Sequence, residues 1–187
     1  MSDTLWVARH APVAVEGICY GRADVPVCGT GAEAAASLAR SFPPRAPPYV
    51  VWSSSTARCR DVACDLSSLW SAELRVDDLL CELDFGTWEG RRWSDIAWSE
   101  RDAYESWMRE WRTVGPPGGE CPLDLERRAR RWIDRLDARR SHALVAHAGF
   151  VRALRVLLAG LDWQTAMQSE VQHLRWQPMA FDVRGVP

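Results

Sequence analysis

The sequence predicts an α/β fold, a three-layer α/β/α arrangement with a largely parallel central sheet, in a single domain spanning residues 1–187. Short apolar runs typical of buried strands alternate along the chain with longer segments of helical character. The length suits one domain with a substantial hydrophobic core. No internal repeat or low-complexity segment interrupts this alternation.

The first predicted strand spans residues 4–11, where an apolar run leads into Arg-His. It should end at about Ala11 because Pro12 cannot continue a central strand. A glycine-containing loop follows. Thr30 then begins a helix to about residue 42, since Glu33 three residues later completes a capping box.

Residues 49–52 form a second short apolar run, which we interpret as a strand that ends in a serine-rich turn. A helix over residues 56–70 is predicted next, and residues 74–77 are read as a short strand. The candidate core positions of this helix follow helical spacing. They are Ala57, Val62, Leu66 and Leu69.

The middle of the chain is predicted to be a loop over residues 81–90, then one or two helices over residues 93–112. The Pro-Pro-Gly-Gly sequence at 116–119 is the strongest break in the chain. Pro122 suits the first position of a helix, which the arginine-rich sequence extends to about residue 140.

The third apolar run covers residues 143–146 and ends, like the first, at a histidine, His147. A helix is predicted over residues 150–158, after Gly149. A last strand is predicted over residues 174–183.

Composition narrows the classes of partner. The net charge of −2 provides no overall basic field for nucleic acid, and no long apolar stretch suggests a signal peptide or a membrane span. The six cysteines show no C-x-x-C or zinc-site spacing. We therefore expect reduced thiols, no metal and no cofactor in a cytoplasmic protein.

Polar residues follow the ends of three predicted strands. Arg9 and His10 follow the first, Arg58 lies just after the second, and His147 follows the third. In a parallel sheet these ends share one edge. Two arginines, two histidines and the backbone N–H groups of a helix start at Gly149 would make a pocket for a phosphate dianion.

These residues occur within six motifs that follow one another along residues 4 to about 155. The motifs are Leu5-Trp6-Val7-Ala8-Arg9-His10-Ala11, Tyr20-Gly21-Arg22-Ala23-Asp24-Val25-Pro26-Val27, Ser53-Ser54 with Arg58, Glu82-Leu83-Asp84-Phe85-Gly86-Thr87-Trp88-Glu89-Gly90, Pro117-Gly118-Gly119-Glu120 and Val145-Ala146-His147-Ala148-Gly149. In sequence and order they resemble the histidine phosphatase superfamily, the phosphoglycerate mutase-like fold.

The resemblance implies a metal-independent phosphomonoesterase that acts on a small phosphorylated metabolite. His10 would be the nucleophile that becomes phosphohistidine, while Arg9, Arg58 and His147 would hold the phosphoryl oxygens. Glu82 would be the general acid that protonates the leaving group. Glu89 in the same loop is the other candidate for the general acid. Its alternative role is to support the loop.

The resemblance also places Tyr20, Arg22 and Gly149 among the substrate-binding residues, although Arg22 could equally be a surface residue. Arg152 is interpreted as a helix residue in a structural ion pair. His142 and His173 belong to no motif and are expected to be structural or exposed.

Five tryptophans crowd the segment that follows Glu82. They could fill the core, or the segment over about residues 86–122 could cover the active site and stack on a heteroaromatic leaving group. Such a wall would suit α-ribazole 5′-phosphate. Tyr20-Gly21-Arg22 together with Glu82-Leu83-Asp84-Phe85-Gly86 also resembles the α-ribazole phosphatases of cobalamin synthesis and their close relatives.

Two other functions stay open. A phosphoglycerate mutase would use the same phosphohistidine, but Ala11 replaces its usual glycine and Glu16 replaces an asparagine that helps to hold phosphate. A non-catalytic phospholigand-binding member would lack one of the pocket residues, and all are present here. The sequence leaves open whether the chain forms a homodimer.

Overall fold

The computed structural model describes residues 3–43 and 46–181, which form a five-stranded sheet flanked by helices. The strands are β1 (Asp3–Arg9), β2 (Val50–Ser53), β3 (Glu73–Val76), β4 (His142–Ala146) and β5 (Gln177–Phe181). The helices are α1 (Gly31–Ser41), α2 (Ala57–Trp70), α3 (Trp93–Ser99), α4 (Arg101–Glu110), α5 (Pro122–Ile133), α6 (Ala148–Ala159) and α7 (Trp163–Gln168). Their alternation confirms the α/β class.

The sheet is mixed, with strand order β3-β2-β4-β1-β5. The β3–β2, β2–β4 and β4–β1 pairs are parallel, whereas β5 lies antiparallel to β1 at the edge. The prediction of a largely parallel sheet is therefore confirmed. Because β2, β4 and β1 are direct neighbours, the three strand ends that carry polar residues lie side by side.

Successive strand residues face opposite sides of the sheet, which makes three layers. Leu5 and Val7 of β1 pack in the core that contains residues of α5, α6 and α7. Trp6 and Ala8 pack in the second core with residues of α1 and α2. The three-layer α/β/α arrangement is thus confirmed.

The helices α1 and α2 begin as predicted, but two of the four predicted core positions of α2 are wrong. The Thr30 hydroxyl accepts a hydrogen bond from the Glu33 N–H at 3.2 Å, which completes the predicted capping box. Ala57 is only partly buried and belongs to none of the described core clusters, and Leu69 is 59% exposed. The buried face of α2 continues instead through Trp70, whose ring lies 4.9 Å from that of Phe42.

Two elements end earlier in the structure than the sequence predicts. β1 ends at Arg9 rather than about Ala11. α5 ends at Ile133 rather than about residue 140, because the chain turns so that Leu136 is buried against the same core. Sequence pattern alone could not locate this turn, since the arginine-rich composition continues past it.

The C-terminal region departs most from the sequence prediction. β5 begins at Gln177 rather than at Leu174, whose φ of +52° interrupts an extended strand. The predicted end of this strand at Val183 lies outside the described residues. Helix α7 was not predicted, although Asp162 caps it by accepting the Thr165 N–H at 2.8 Å.

The thiols agree with prediction, since all six cysteines are free. Within residues 3–43 and 46–181, no helix has both the length and the apolar character needed to cross a bilayer.

Candidate active site

A cavity of about 560 Å³ opens beyond the carboxyl ends of β1 and β4, where parallel sheets place their ligand sites. It brings together nearly all of the sequence-predicted site residues. The predicted residues that line it are Arg9, His10, Tyr20, Arg58, Glu82, His147 and Gly149. We call Arg9, His10, Arg58 and His147 the cavity floor.

His10 is held at the end of β1 by its backbone and its ring. Its N–H donates to the Ala146 carbonyl at 3.0 Å, which ties it to β4. Its Nδ1 lies 2.6 Å from the Ala11 carbonyl oxygen. Since a carbonyl can only accept, Nδ1 carries the proton and Nε2 keeps its lone pair.

The His10 ring is neutral over the ordinary pH range. It is 2% exposed, and burial lowers its pKa to about 3, against the raising effect of the Ala11 carbonyl. The positive charges of Arg58 and Arg9 lower its pKa further. The outcome is an unprotonated nitrogen beside two guanidinium groups.

The two floor arginines are anchored by backbone carbonyls. Arg9 Nη1 donates to the Val171 carbonyl at 3.0 Å. Arg58 Nη1 donates to the Ala23 carbonyl at 2.8 Å, and its Nη2 binds the Gly21 carbonyl. The Nε–H groups of both arginines are buried and have no hydrogen-bond partner within the described residues. An anion between them would find donors already in place.

His147 is fully buried at the end of β4, where it caps α6. Its Nε2 lies 2.8 Å from Ser54 Oγ and 3.3 Å from Thr56 Oγ1, both from the turn after β2. Burial lowers the pKa of His147 well below its usual value, and the charge of a protonated His10 would lower it further. Its ring centroid lies 5.2 Å from that of His10.

Glu82 enters the cavity from the loop after β3 and is held by backbone N–H groups. Its Oε2 accepts from the Gly149 N–H at 2.8 Å, and its Oε1 accepts from Leu83 at 3.0 Å. A Cβ at position 149 would lie 2.3 Å from Glu82 Oε1, so the close approach needs glycine. The Gly149 N–H, predicted to face phosphate, binds this carboxylate instead.

Glu89 and Arg22 organise the loop beside the cavity. Glu89 accepts backbone N–H groups from Gly21, Arg22, Ala23 and Phe85 at distances of 2.9–3.1 Å. Burial acts to raise its pKa, but these donors outweigh burial and lower it. Glu89 is therefore an ionised loop anchor and does not line the cavity.

Arg22 does not line the cavity either. Its Nη2 donates to Glu120 Oε1 at 3.1 Å, and its Nε lies 3.4 Å from Asp84 Oδ2. The surface alternative for Arg22 therefore agrees with the structure.

The tryptophan-rich segment divides between packing and cavity lining. Trp88 is fully buried in a small core with Cys19 and Ile96. Trp107 packs against this core and also reaches the cavity. Helix α7 provides further lining residues. We call the partly exposed lining from these helices the cavity rim, formed by Trp107, Met108, Trp111, Gln164, Met167 and Gln168.

The predicted ion pair of Arg152 is wrong, and the structural role expected for His173 includes a contact with His10 that the sequence did not indicate. Arg152 lines the cavity, yet no described carboxylate forms an ion pair with it. His173 Nδ1 donates to the His10 carbonyl at 2.6 Å, and its ring lies 5.5 Å from the His10 ring. The sequence offered a signal for Arg152, because it follows Gly149 by three residues on α6 and residues at that spacing lie on one face of a helix. No motif or spacing pointed to His173.

His142 is structural, as expected. It is buried and accepts the Trp52 Nε1–H at 3.1 Å.

These features define what the cavity can do chemically. The floor presents two guanidinium groups and two neutral imidazoles, which suit a tetrahedral phosphate dianion. Glu82 supplies a carboxyl group for proton transfer. The rim offers an apolar and aromatic surface to whatever is attached to the phosphate.

Comparison with known proteins agrees with this chemistry. The family model of the histidine phosphatase superfamily (branch 1) matches residues 5–185. The adenosylcobalamin/alpha-ribazole phosphatase of Salmonella typhimurium is 29% identical over 177 residues, which cover 92% of this chain and 87% of the relative. The glucosyl-3-phosphoglycerate phosphatase of Mycobacterium tuberculosis is 31% identical over 152 residues, or 75% of this chain and 67% of that protein.

Solved structures give the same result. The crystal structure of the alpha-ribazole phosphatase from Shigella flexneri superimposes with a TM-score of 0.84 at 26% sequence identity. The match covers 94% of this chain and 89% of that chain. The phosphoglycerate mutase-like form of the fold is thereby confirmed.

Proposed function

The chain belongs to the histidine phosphatase superfamily, and from this premise we propose that it hydrolyses small phosphate monoesters through a phosphohistidine formed on His10. The observation that best supports this proposal is the neutral ring of His10, whose Nδ1–H donates a hydrogen bond to the Ala11 carbonyl. This leaves the lone pair of Nε2 as the nucleophile between two arginines.

In the first step Nε2 of His10 attacks phosphorus, and the bond from phosphorus to the leaving oxygen breaks. Arg9, Arg58 and His147 spread the charge on the three remaining oxygens. Protonated Glu82 gives its proton to the leaving oxygen, so that a neutral alcohol departs.

In the second step water attacks the phosphohistidine, and the N–P bond breaks to return neutral His10. The Glu82 carboxylate takes the proton from that water. Its two backbone hydrogen bonds keep the group in one place for both transfers. Because the positive charge at the phosphate comes from arginines, we propose that the reaction needs no metal.

The finer identity of the substrate also belongs to the proposal. Two of the proteins compared above are named for α-ribazole, and the aromatic rim would suit its benzimidazole ring. We therefore propose α-ribazole 5′-phosphate, and with it a role in cobalamin biosynthesis, as the first substrate to test. The name of the mycobacterial relative favours a second class, the phosphorylated carboxylic acids.

We also propose the cellular setting of the enzyme. The net charge of −2 and the free thiols support a cytoplasmic enzyme without nucleic-acid or membrane partners. Gel filtration with light scattering would test whether it forms a homodimer.

Rapid chemical quench tests the mechanism. Wild-type protein mixed with a ³²P-labelled ester should carry an acid-labile, base-stable phosphoryl group during turnover, and EDTA should leave the rate unchanged. Vanadate should inhibit as a mimic of the five-coordinate phosphorus. A rate lost with chelation and restored by one metal, or a label that resists acid, would contradict the proposal. With 3-phosphoglycerate and a bisphosphoglycerate primer, rapid formation of 2-phosphoglycerate would instead favour the mutase.

A further inference from the structure

Arg152 is a cation of the cavity that the phosphate chemistry does not use. It lies on α6 and lines the cavity together with the floor and the rim. Its Nε donates to the Ala166 carbonyl on α7 at 3.2 Å, which fixes the guanidinium between two helices. None of the described carboxylates pairs with it, so its two Nη groups keep their donors for another acceptor.

Arg155, one turn further along the same helix, provides a contrast. Its Nη1 donates to Ser169 Oγ at 2.7 Å, and its Nη2 donates to the Glu170 carbonyl at 3.0 Å. It does not line the cavity. Arg155 is therefore a structural cation whose donors are used by the fold, whereas the terminal donors of Arg152 are directed to no such partner.

The charges of the cavity leave Arg152 in excess during catalysis. A phosphate dianion matches the two charges of Arg9 and Arg58. Asp24 lies 3.9 Å from Arg58 Nη1, but its side chain is 58% exposed, so solvent screens its charge. Glu82 would offset Arg152 when ionised, but the proton-donor step requires Glu82 to be neutral. Burial lowers the pKa of Arg152, which indicates an unfavourable environment for its charge that a bound anion would relieve.

We propose that Arg152 binds an anionic group, a carboxylate, on the leaving alcohol of the substrate. The two Nη groups would hold it in bidentate fashion. Gln164 and Gln168, one helical turn apart on α7, line the same cavity and would add amide donors. Met108 and Trp111 would pack against the apolar part that joins phosphate to carboxylate.

The inference rests on the proposed phosphatase function and names its substrate class: phosphate monoesters of hydroxy acids with an apolar or aromatic body. It also ranks the candidates. The leaving alcohol of α-ribazole 5′-phosphate carries no anionic group, so a carboxylate-bearing ester should be the better substrate.

A matched pair of probes isolates the charge. 4-Carboxybenzyl phosphate and 4-carbamoylbenzyl phosphate have nearly the same shape and leaving group but differ by one negative charge. Wild-type kcat/KM should favour the carboxylate. Arg152→Gln should reduce kcat/KM for the carboxylate by about 10- to 100-fold, the usual effect of losing a hydrogen bond to a charged group, mostly through KM. The amide should change little.

Two further variants serve as comparison and control. Arg152→Lys keeps the positive charge but lacks the two parallel N–H donors of a guanidinium group. It should therefore retain part of the preference for the carboxylate ester. Arg109→Gln removes the same charge from an exposed position next to Met108, outside the cavity lining, and should not alter the preference. An equal loss on both probes in Arg152→Gln, or no loss on either, would overturn the proposal.

A binding measurement separates this inference from the phosphatase function. Titration calorimetry with the two corresponding benzylphosphonates needs no turnover. If wild-type protein hydrolyses neither ester but binds the carboxylate phosphonate in an Arg152-dependent manner, the ligand class stands and the phosphatase function fails. If hydrolysis proceeds and the two phosphonates bind equally, the function stands and the role of Arg152 is excluded.

Discussion

The cavity floor and the cavity rim differ in burial and in hydrogen bonding. On the floor, His10 and His147 are 2% and 0% exposed, and the ring of each forms hydrogen bonds with residues next to the strand ends. On the rim, Met108 and Met167 are 54% and 45% exposed. Buried, hydrogen-bonded strand ends suit the phosphoryl group, which every substrate shares, while exposed apolar side chains on helices suit a leaving group that differs between relatives.

This difference has a consequence for mutation. Changes on the floor should affect every phosphate ester, whatever its leaving group. Changes on the rim should affect only esters whose leaving groups reach it. Variants of the floor and of the rim therefore test this division.

The largest expected effect is that of His10→Ala. It removes the proposed nucleophile, so turnover should fall to the background rate on all esters, and no phosphoryl group should be trapped. Circular dichroism should be unchanged, since neighbouring residues hold the backbone of β1. Near-normal activity in the variant would disprove the assignment and with it the floor as the reaction centre.

Glu82→Gln should be next, and its effect should depend on the leaving group. Alkyl phosphates should lose about 10²–10⁴-fold in the single-turnover rate of enzyme phosphorylation, because an unprotonated alkoxide leaves poorly. p-Nitrophenyl phosphate should lose much less, since nitrophenolate needs no proton. Equal losses on both would assign Glu82 a purely structural role, and Glu89→Gln in parallel would test the rival directly.

Part of the acid sensitivity should come from the floor, where the pKa values of His10 and His147 are lowered, and part from His142 and His173, whose pKa values are lowered outside it. The pKa of His10 is lowered from 6.5 to about 3 in the folded protein, so the unfolded state binds more protons between these values. The free energy of unfolding should therefore fall as the pH drops below 6.5, by about 1.4 kcal/mol per pH unit for one such histidine.

Urea unfolding at a series of pH values measures this dependence. His10→Gln should flatten the slope by up to one proton, while Gln164→Ala on the rim should leave it unchanged. The carboxylates and the other three histidines, whose pKa values are also lowered, are present in all three proteins and cancel in the comparison. A slope unchanged in His10→Gln would mean that His10 is not held neutral by burial.

The smallest effect is expected on the rim. The double variant Met108→Ala, Met167→Ala should raise KM for benzyl phosphate by about five- to tenfold, through lost apolar contact, with kcat unchanged. Glycerol phosphate, which has no apolar body, should be unaffected. Leu69→Ala, an exposed apolar residue of α2 outside the cavity, is the control. A loss shared by glycerol phosphate would break the division between rim and floor.

The sequence by itself determined the floor. Apolar strand runs are local patterns, and parallel strands always place their carboxyl ends at one edge, so Arg9, His10 and His147 could be brought together before any contact was known. Motif order added Arg58 and Glu82. The residues at the strand ends are placed by the strands themselves, which short segments of sequence encode, and Arg58 and Glu82 are placed by their motifs.

Only the tertiary structure decided the rim and the partners of the loop residues. Gly149 turned out to bind Glu82, and Arg22 to bind Asp84 and Glu120. Arg152 became a cavity residue because α7, which the sequence analysis did not predict, packs beside α6 and holds its guanidinium. The position of a side chain on a helix follows from its spacing, but what it faces depends on how helices distant in sequence pack together, and no local pattern records that.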